Sequence, residues 1–157
     1  MSYELKALIG SWDLLKVVAA EVPVARVTRL EQGLALIPMT DLLFDTVAEH
    51  GGVLQPGFTA FPGGFGRRLV AWSQASPIGY VEAHYVGGDG TQRAAVWVDG
   101  RLVLGPLACT SDQPFPEDGS PISQALRRIG AQRTPAADEF DEVGLGRHSR
   151  LVDWPAD

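Results

Sequence analysis

The chain has 157 residues, which suits one domain with a two-layer core and is short for two domains. With 45% hydrophobic and 20% charged residues, the composition is that of a globular protein rather than a disordered or fibrous one. A formal net charge of −6 argues against a nucleic acid or an anionic membrane as partner, because both favour clustered Lys and Arg. The same charge would favour a basic partner protein.

The first half of the chain alternates helical and strand patterns. Ser11 is an N-cap residue type directly before a stretch with helical spacing, and Pro23 ends that stretch. Thr40 is a second N-cap candidate, and the helix that it begins ends at Gly51-Gly52. The predicted elements are a helix over residues 12–21, strands over residues 24–30 and 34–39, and a helix from residue 40 to about residue 50.

The second half begins with a segment over residues 51–66 that is dense in Gly, Pro and Phe. It is too apolar for a free linker, so we expect it to pack against the body of the domain. Further on, Ser120-Pro121 is a helix start with Pro at the first position, and Gly130 stands where a C-cap glycine belongs. The predicted elements are a helix over residues 67–75, a β-meander over 77–106, a surface loop over 110–119 and helices over 120–130 and 138–143.

Residues 77–106 carry the strongest local signal in the chain. Segments of alternating apolar residues are separated by glycine-rich turns, which predicts an antiparallel meander. Asp99-Gly100 is a strong hairpin signal, because a type I′ turn needs positive φ at both central positions. The other reversal is assigned to Gly88-Asp89, and this register sets His84 opposite Arg93.

One face of the meander is predicted to be apolar core, and the other gathers polar and aromatic side chains. This second face carries Tyr80, Glu82, His84, Arg93 and Trp97. Glu82 and His84 are two residues apart on one strand, so Glu82 could orient or charge the imidazole. A carboxylate, an imidazole and a guanidinium together could form a binding or acid–base site.

A plainer interpretation competes with a site on this face. Cross-strand polar pairs around two aromatic rings are also typical of a half-solvated sheet face. No third catalytic group is identifiable in the sequence, so we predict no catalytic residue. The five residues named above are therefore candidate binding residues, with the loop over residues 58–65 as a lid if they form a small-molecule site.

Glycine-rich loops do not predict a phosphate site here. The loop over residues 87–90 opens into a strand, whereas a phosphate cradle normally opens into a helix N-terminus. The glycines over residues 63–66 do precede a helix with Arg67 and Arg68, yet a packing loop is the favoured interpretation there too.

Metal and nucleophile signals are weak. The three histidines, His50, His84 and His148, lie far apart in sequence and match no HxxxH or HExxH pattern. Cys109 is the single cysteine, so no intrachain disulfide can form, and a buried structural thiol is the favoured role. We predict no metal and no cofactor.

The C-terminal region offers an acidic turn and an aromatic tail. The acids over residues 138–142 suit the start of a short helix, where they complement the helix dipole. Arg147, His148, Arg150 and Trp154 follow in the tail. An exposed Trp154 would indicate an interface, because Trp is enriched at binding hot spots, whereas a buried one would mean that the tail docks.

The runs YVEAHYVGGDGTQRAAVWVDGRLVLGP, PISQALRRIGAQR and DEFDEVGLGRHSRLVDW resemble a group of small actinobacterial proteins. The resemblance covers about the second half of the chain and implies no activity, substrate or catalytic residue, because none is established for the group. A looser analogy, in size, charge and architecture, is to the acidic immunity proteins of bacterial toxin systems.

The sequence predicts a single α+β domain over residues 1–157, with an antiparallel sheet of about five strands and helices packed mainly on one face. No apolar run reaches the length of a membrane span and the first ten residues do not form a signal peptide, so we expect a cytoplasmic protein.

Three functional hypotheses follow. The first is a non-enzymatic protein-binding module that neutralises a basic protein, in the manner of an immunity protein. The second is a small-molecule-binding protein or enzyme that uses Glu82, His84 and Arg93. The third is self-association, with Tyr80 and Trp97 forming the seam of a homodimer.

Overall fold

Six strands form one antiparallel sheet in the computed structural model, which describes residues 2–157. Their order across the sheet is β2-β3-β1-β4-β5-β6, and every neighbouring pair is antiparallel. The strands are β1 (Ser2–Ser11), β2 (Thr28–Arg29), β3 (Leu34–Pro38), β4 (Ile78–Val86), β5 (Asp89–Val98) and β6 (Arg101–Thr110). The predicted α+β class is confirmed, with six strands rather than about five.

Three of the helices begin at a serine or threonine that caps them. The hydroxyls of Ser11, Thr40 and Ser120 accept the N–H groups of Leu14, Leu43 and Ser123. Within residues 2–157, no helix combines the length and the apolar character needed to cross a bilayer. The helices are α1 (Trp12–Glu21), α2 (Asp41–Val47), α3 (Phe65–Ser73), α4 (Pro121–Ile129) and α5 (Glu139–Val143), followed by 3₁₀ turns at Leu145–Arg147 and Leu151–Asp153.

Helices cover both faces of the sheet, and this corrects the expectation that they pack mainly on one. On the first face, α1, α2, α3 and Phe61 bury a core with Leu8, Tyr80 and Trp97. On the second face, α4, α5 and the C-terminal segment bury another core with Val81 and Val96. The sheet therefore needs a cover on each side, because both faces of its central strands are apolar.

The strand β1 was not predicted, although it lies in the middle of the sheet. It pairs with β3 on one side and with β4 on the other. Its second half is apolar on both faces, as Ala7, Leu8 and Ile9 are all buried. A continuous apolar run has no period of two, so the pattern that identifies a half-buried strand is missing.

The meander over residues 77–106 is confirmed, with a shifted register in its first hairpin. Val86 pairs with Asp89 across Gly87-Gly88, so the turn lies one residue earlier than predicted. Glu82 therefore stands opposite Arg93, where His84 was expected. The shift displaces the partner strand by two residues, so each side chain keeps its face.

The second hairpin turns at Asp99-Gly100 as predicted. Val98 pairs with Arg101, and both turn residues have positive φ, 51° at Asp99 and 77° at Gly100. Beyond this turn, β6 is an edge strand whose register with β5 shifts between Ala94 and Trp97.

The C-terminal tail docks on the body. Trp154 is 2% exposed and packs in the second core, so it is not an exposed anchor. The backbone N–H of Asp157 donates to the carbonyl of Val27 at 2.8 Å, and Arg147 donates to the carbonyl of Arg29 at 3.1 Å. The tail therefore covers the sheet next to its short edge strand β2.

The acidic turn caps α5 as predicted, because the Asp138 carboxylate accepts the N–H of Asp141 at 3.0 Å. One of its acids has a second role. Glu139 is 1% exposed and accepts a hydrogen bond from Arg127 Nε at 2.6 Å, which ties α5 to α4. That hydrogen bond raises the pKa of Arg127 above its ordinary value.

Candidate functional site

The five candidate binding residues lie on one face of β4 and β5, as predicted, but most of them are covered. Tyr80, Glu82 and Trp97 are buried, Arg93 is half-buried, and only His84 is exposed. This face is therefore covered over most of its length rather than half-solvated. Its apolar end lies under α3 and the aromatic segment, which we define as residues 57–64.

Glu82 holds the aromatic segment in place. Its Oε1 accepts the backbone N–H of Thr59 at 2.8 Å and the hydroxyl of Thr59 at 2.9 Å. Its Oε2 accepts the backbone N–H of Ala60 at 2.8 Å. Glu82 is 5% exposed, and these three hydrogen bonds replace the water that its carboxylate loses on burial.

Tyr80 and Arg93 fasten the same segment. The Tyr80 hydroxyl donates to the carbonyl of Ala60 at 2.5 Å, and Arg93 Nη1 donates to the carbonyl of Gly57 at 3.0 Å. The rings of Phe58 and Phe61 meet the Tyr80 ring edge-on, at centroid distances of 5.0 and 5.4 Å. Three of the five candidates thus anchor a loop.

Burial and the nearby Glu82 carboxylate raise the pKa of the Tyr80 phenol well above its ordinary value. The phenol is therefore a neutral donor at any physiological pH. Tyr80 and Trp97 are 0% and 3% exposed, so the two rings form no open seam for a second copy.

The uncovered end of this face forms a polar cleft of about 300 Å³. Across the strands, Glu4 pairs with His84 and then Thr91, and Lys6 pairs with Glu82 and then Arg93. The aromatic segment forms one wall of this cleft through Thr59 and leaves His84 exposed, so it does not act as the lid considered for a small-molecule site. We call the residues that line it the polar cleft: Glu4, Lys6, Thr59, Glu82, His84, Thr91 and Arg93.

Sequence reasoning missed a second, apolar cleft of about 360 Å³ between α3 and the chain that precedes it. Val53 is 83% exposed and Leu54 is 68% exposed at its rim, and Phe61 and Trp97 form its floor. The signal was the pair Val-Leu in a glycine-rich loop, where polar residues are usual. We call Val53, Leu54, Phe61, Val70 and Trp97 the apolar cleft.

The glycines before α3 do not present an open anion site. Gly64 is the N-cap of α3, and the Glu49 carboxylate lies beside it and is paired with Arg67. An acidic side chain of this chain therefore lies beside the helix N-terminus, where it would repel an incoming anion.

The structure also places two other features that the sequence singled out, the single cysteine and the glycine-rich loop of the meander. Cys109 is buried, as predicted for a structural thiol. Gly87-Gly88 forms the reversal of the first hairpin, both residues with positive φ. Among residues 2–157, no group of three or more His, Cys, Asp and Glu side chains is arranged to hold a metal ion.

Comparison of the chain with protein-family models, with curated proteins and with solved structures finds no match. The geometry of the two clefts therefore carries the functional argument.

Proposed function

We propose that this chain is a non-enzymatic protein-binding module and that the apolar cleft is its binding surface. The observation that carries the proposal is the exposure of Val53 and Leu54, 83% and 68%, beside a concave surface with two aromatic rings at its floor. Contiguous exposed apolar surface of this kind marks interaction sites in monomeric proteins. Aromatic anchors in such clefts are typical of binding hot spots.

The partner that fits is a basic protein with an apolar anchor. The chain carries a net charge of −6. Exposed Asp41 and Asp45 lie on α2, which precedes the apolar rim in the chain. The positive charge of Arg67, which lines the cleft, is balanced by its ion pair with Glu49. Opposite charges around an apolar contact increase association rate and select the partner.

Neutralisation of a basic toxin in the cytoplasm, in the manner of an immunity protein, is the most concrete form of this role. An acidic inhibitor that covers a cationic active surface needs a rigid apolar anchor to persist after the electrostatic encounter. The apolar cleft supplies the anchor, and the acids of α2 supply the steering.

The enzymatic alternative has less support, because it needs Glu82 as an acid, a base or an orienting group. Both oxygens of Glu82 already accept hydrogen bonds from Thr59 and Ala60. A proton transfer at this carboxylate would require the loss of these bonds.

Selection of random phage-displayed peptides on the immobilised protein tests the proposal. The selected peptides are expected to combine Lys or Arg with Leu, Phe or Trp. Their affinity, measured by fluorescence polarisation, should fall at least about tenfold in the double variant V53D/L54D, because the anchor loses its apolar site.

V152D is the matched control, because Val152 is an exposed apolar residue like Leu54, at 67%, but lies in the C-terminal tail, away from the apolar cleft. Equal binding to V53D/L54D and to the unmodified protein would contradict the proposal. If light scattering shows a dimer that dissociates in V53D/L54D, the apolar cleft binds a second copy of the chain. That result would overturn the proposal of a basic partner.

A further inference from the structure

The polar cleft brings together cationic side chains that the rest of the chain does not neutralise. Lys6 on β1 and Arg93 on β5 flank Glu82 on β4 in one cross-strand row. Their backbones are about 10 Å apart, two strand spacings. Within residues 2–157, no carboxylate oxygen lies within 4.0 Å of either cation.

Glu82 stands between the two cations but is already engaged. Its oxygens accept hydrogen bonds from Thr59 and Ala60. The carboxylate points toward the aromatic segment, and its charge is spread over these donors. The other acid of the cleft, Glu4, is exposed at the rim.

Arg93 keeps donors without acceptors. Its Nη1 donates to the carbonyl of Gly57, while its Nε is shielded from solvent and has no hydrogen-bond partner in the described chain. Its Nη2 also makes no hydrogen bond in the described chain and is not closed to solvent, so this nitrogen can donate to an acceptor in the cleft.

The other lining groups suit the same kind of ligand. His84 and Thr91 form the next cross-strand pair, so an imidazole and a hydroxyl lie beside the two cations. A guanidinium, an ammonium and neutral donors around one concave surface are the groups that bind phosphate and carboxylate. The volume, about 300 Å³, suits a small molecule and no macromolecule.

We infer that the polar cleft binds a small oxyanion, a phosphate or carboxylate group, between Lys6 and Arg93. Arg93 provides the directional donors, Lys6 provides the second positive charge, and His84 and Thr91 complete the contact. This site is separate from the apolar cleft, so its test does not depend on the proposed protein-binding function.

Titration of the ¹⁵N-labelled protein with sodium phosphate tests the inference, with sodium chloride at equal ionic strength as reference. Saturable shifts are expected at the amides of Lys6, His84, Thr91 and Arg93. A parallel titration with succinate distinguishes the two oxyanions, and saturation by either one supports the site.

K6Q is the decisive variant, because the Lys6 ammonium makes no hydrogen bond or ion pair in the described chain and its loss leaves the aromatic segment attached. We expect at least about tenfold weaker phosphate or succinate binding in K6Q and in R93Q. R101Q, which removes an exposed arginine outside the cleft, should bind as the unmodified protein does. Linear shifts with both anions, or equal affinity in K6Q, would overturn the inference.

Discussion

At the scale of single residues, Glu82 illustrates how one side chain can resemble an acid–base group in sequence and hold a loop in structure. The sequence places it beside His84 on one strand face, as a catalytic pair would require. The structure places its oxygens against the N–H groups of Thr59 and Ala60. The difference depends on a contact 22 residues away in the chain, which no local pattern encodes.

Glu82→Gln is expected to lower the free energy of unfolding by about 2 kcal/mol, because in either orientation the amide NH₂ faces a backbone N–H, that of Thr59 or that of Ala60, and leaves this donor without an acceptor. Urea denaturation measures the loss. Hydrogen exchange at the Thr59 and Ala60 amides should accelerate more than exchange in β4.

Glu4→Gln is the matched control for this prediction. Glu4 lies on the same sheet face but is exposed, so its neutralisation should change stability by less than about 0.5 kcal/mol. Equal effects of the two substitutions would mean that the bonds from Glu82 to the aromatic segment contribute nothing to stability.

At the scale of elements, the sequence predicts best what depends on neighbouring residues. The Ser11 and Ser120 caps, the Gly130 C-cap and the Asp99-Gly100 turn act within one turn of chain, and all occur as predicted. The predicted strand over residues 24–30 shortens to Thr28–Arg29, because only those residues find a partner in β3.

Long-range pairing limits the rest of the prediction. The strand β1 is specified by β3 and β4, which follow it by tens of residues. The cover over Tyr80 and Trp97 depends in the same way on where the aromatic segment crosses the sheet. The prediction that this segment packs against the body was possible from its composition, but the face that it covers was not.

Gly66 in the first turn of α3 offers a test at this scale. A methyl group there would meet nothing within 4 Å, and alanine restricts the unfolded chain more than glycine does. Gly66→Ala should therefore raise the free energy of unfolding by about 0.5–1 kcal/mol in thermal or urea denaturation.

Gly90→Ala is the opposite case, because a methyl group at Gly90 would overlap the carbonyl oxygen of His84 on the paired strand. We expect a loss of at least about 2 kcal/mol. A stability gain in Gly90→Ala would contradict the close approach of Gly90 to the paired strand. A stability loss in Gly66→Ala would contradict the open space beside the first turn of α3.

At the scale of the whole molecule, the two cores share one sheet and each is in contact with tyrosine. Tyr80 lies in the first core, and Tyr3 and Tyr85 pack against the second. Burial raises the pKa of all three phenols above their ordinary value, and for Tyr80 the Glu82 charge adds to the effect. These are the only tyrosines of the chain.

The folded protein should therefore lose stability above about pH 10, where the unfolded chain releases phenolic protons that the folded chain retains. Below that pH the two states bind the same phenolic protons, so this contribution is constant. Phenolate absorbance and circular dichroism should change together on alkaline titration. Phenolate formation near pH 10 with unchanged circular dichroism would contradict the burial of the tyrosines.

The strand β1 leaves the ribosome before either of the strands with which it pairs. Pairing with β3 becomes possible early, when α1 and the hairpin of β2 and β3 have emerged. The other edge of β1 stays open until β4 has been synthesised. A nascent chain halted before residue 78 thus exposes an apolar strand edge, which is the kind of surface that chaperones shield and that aggregation uses.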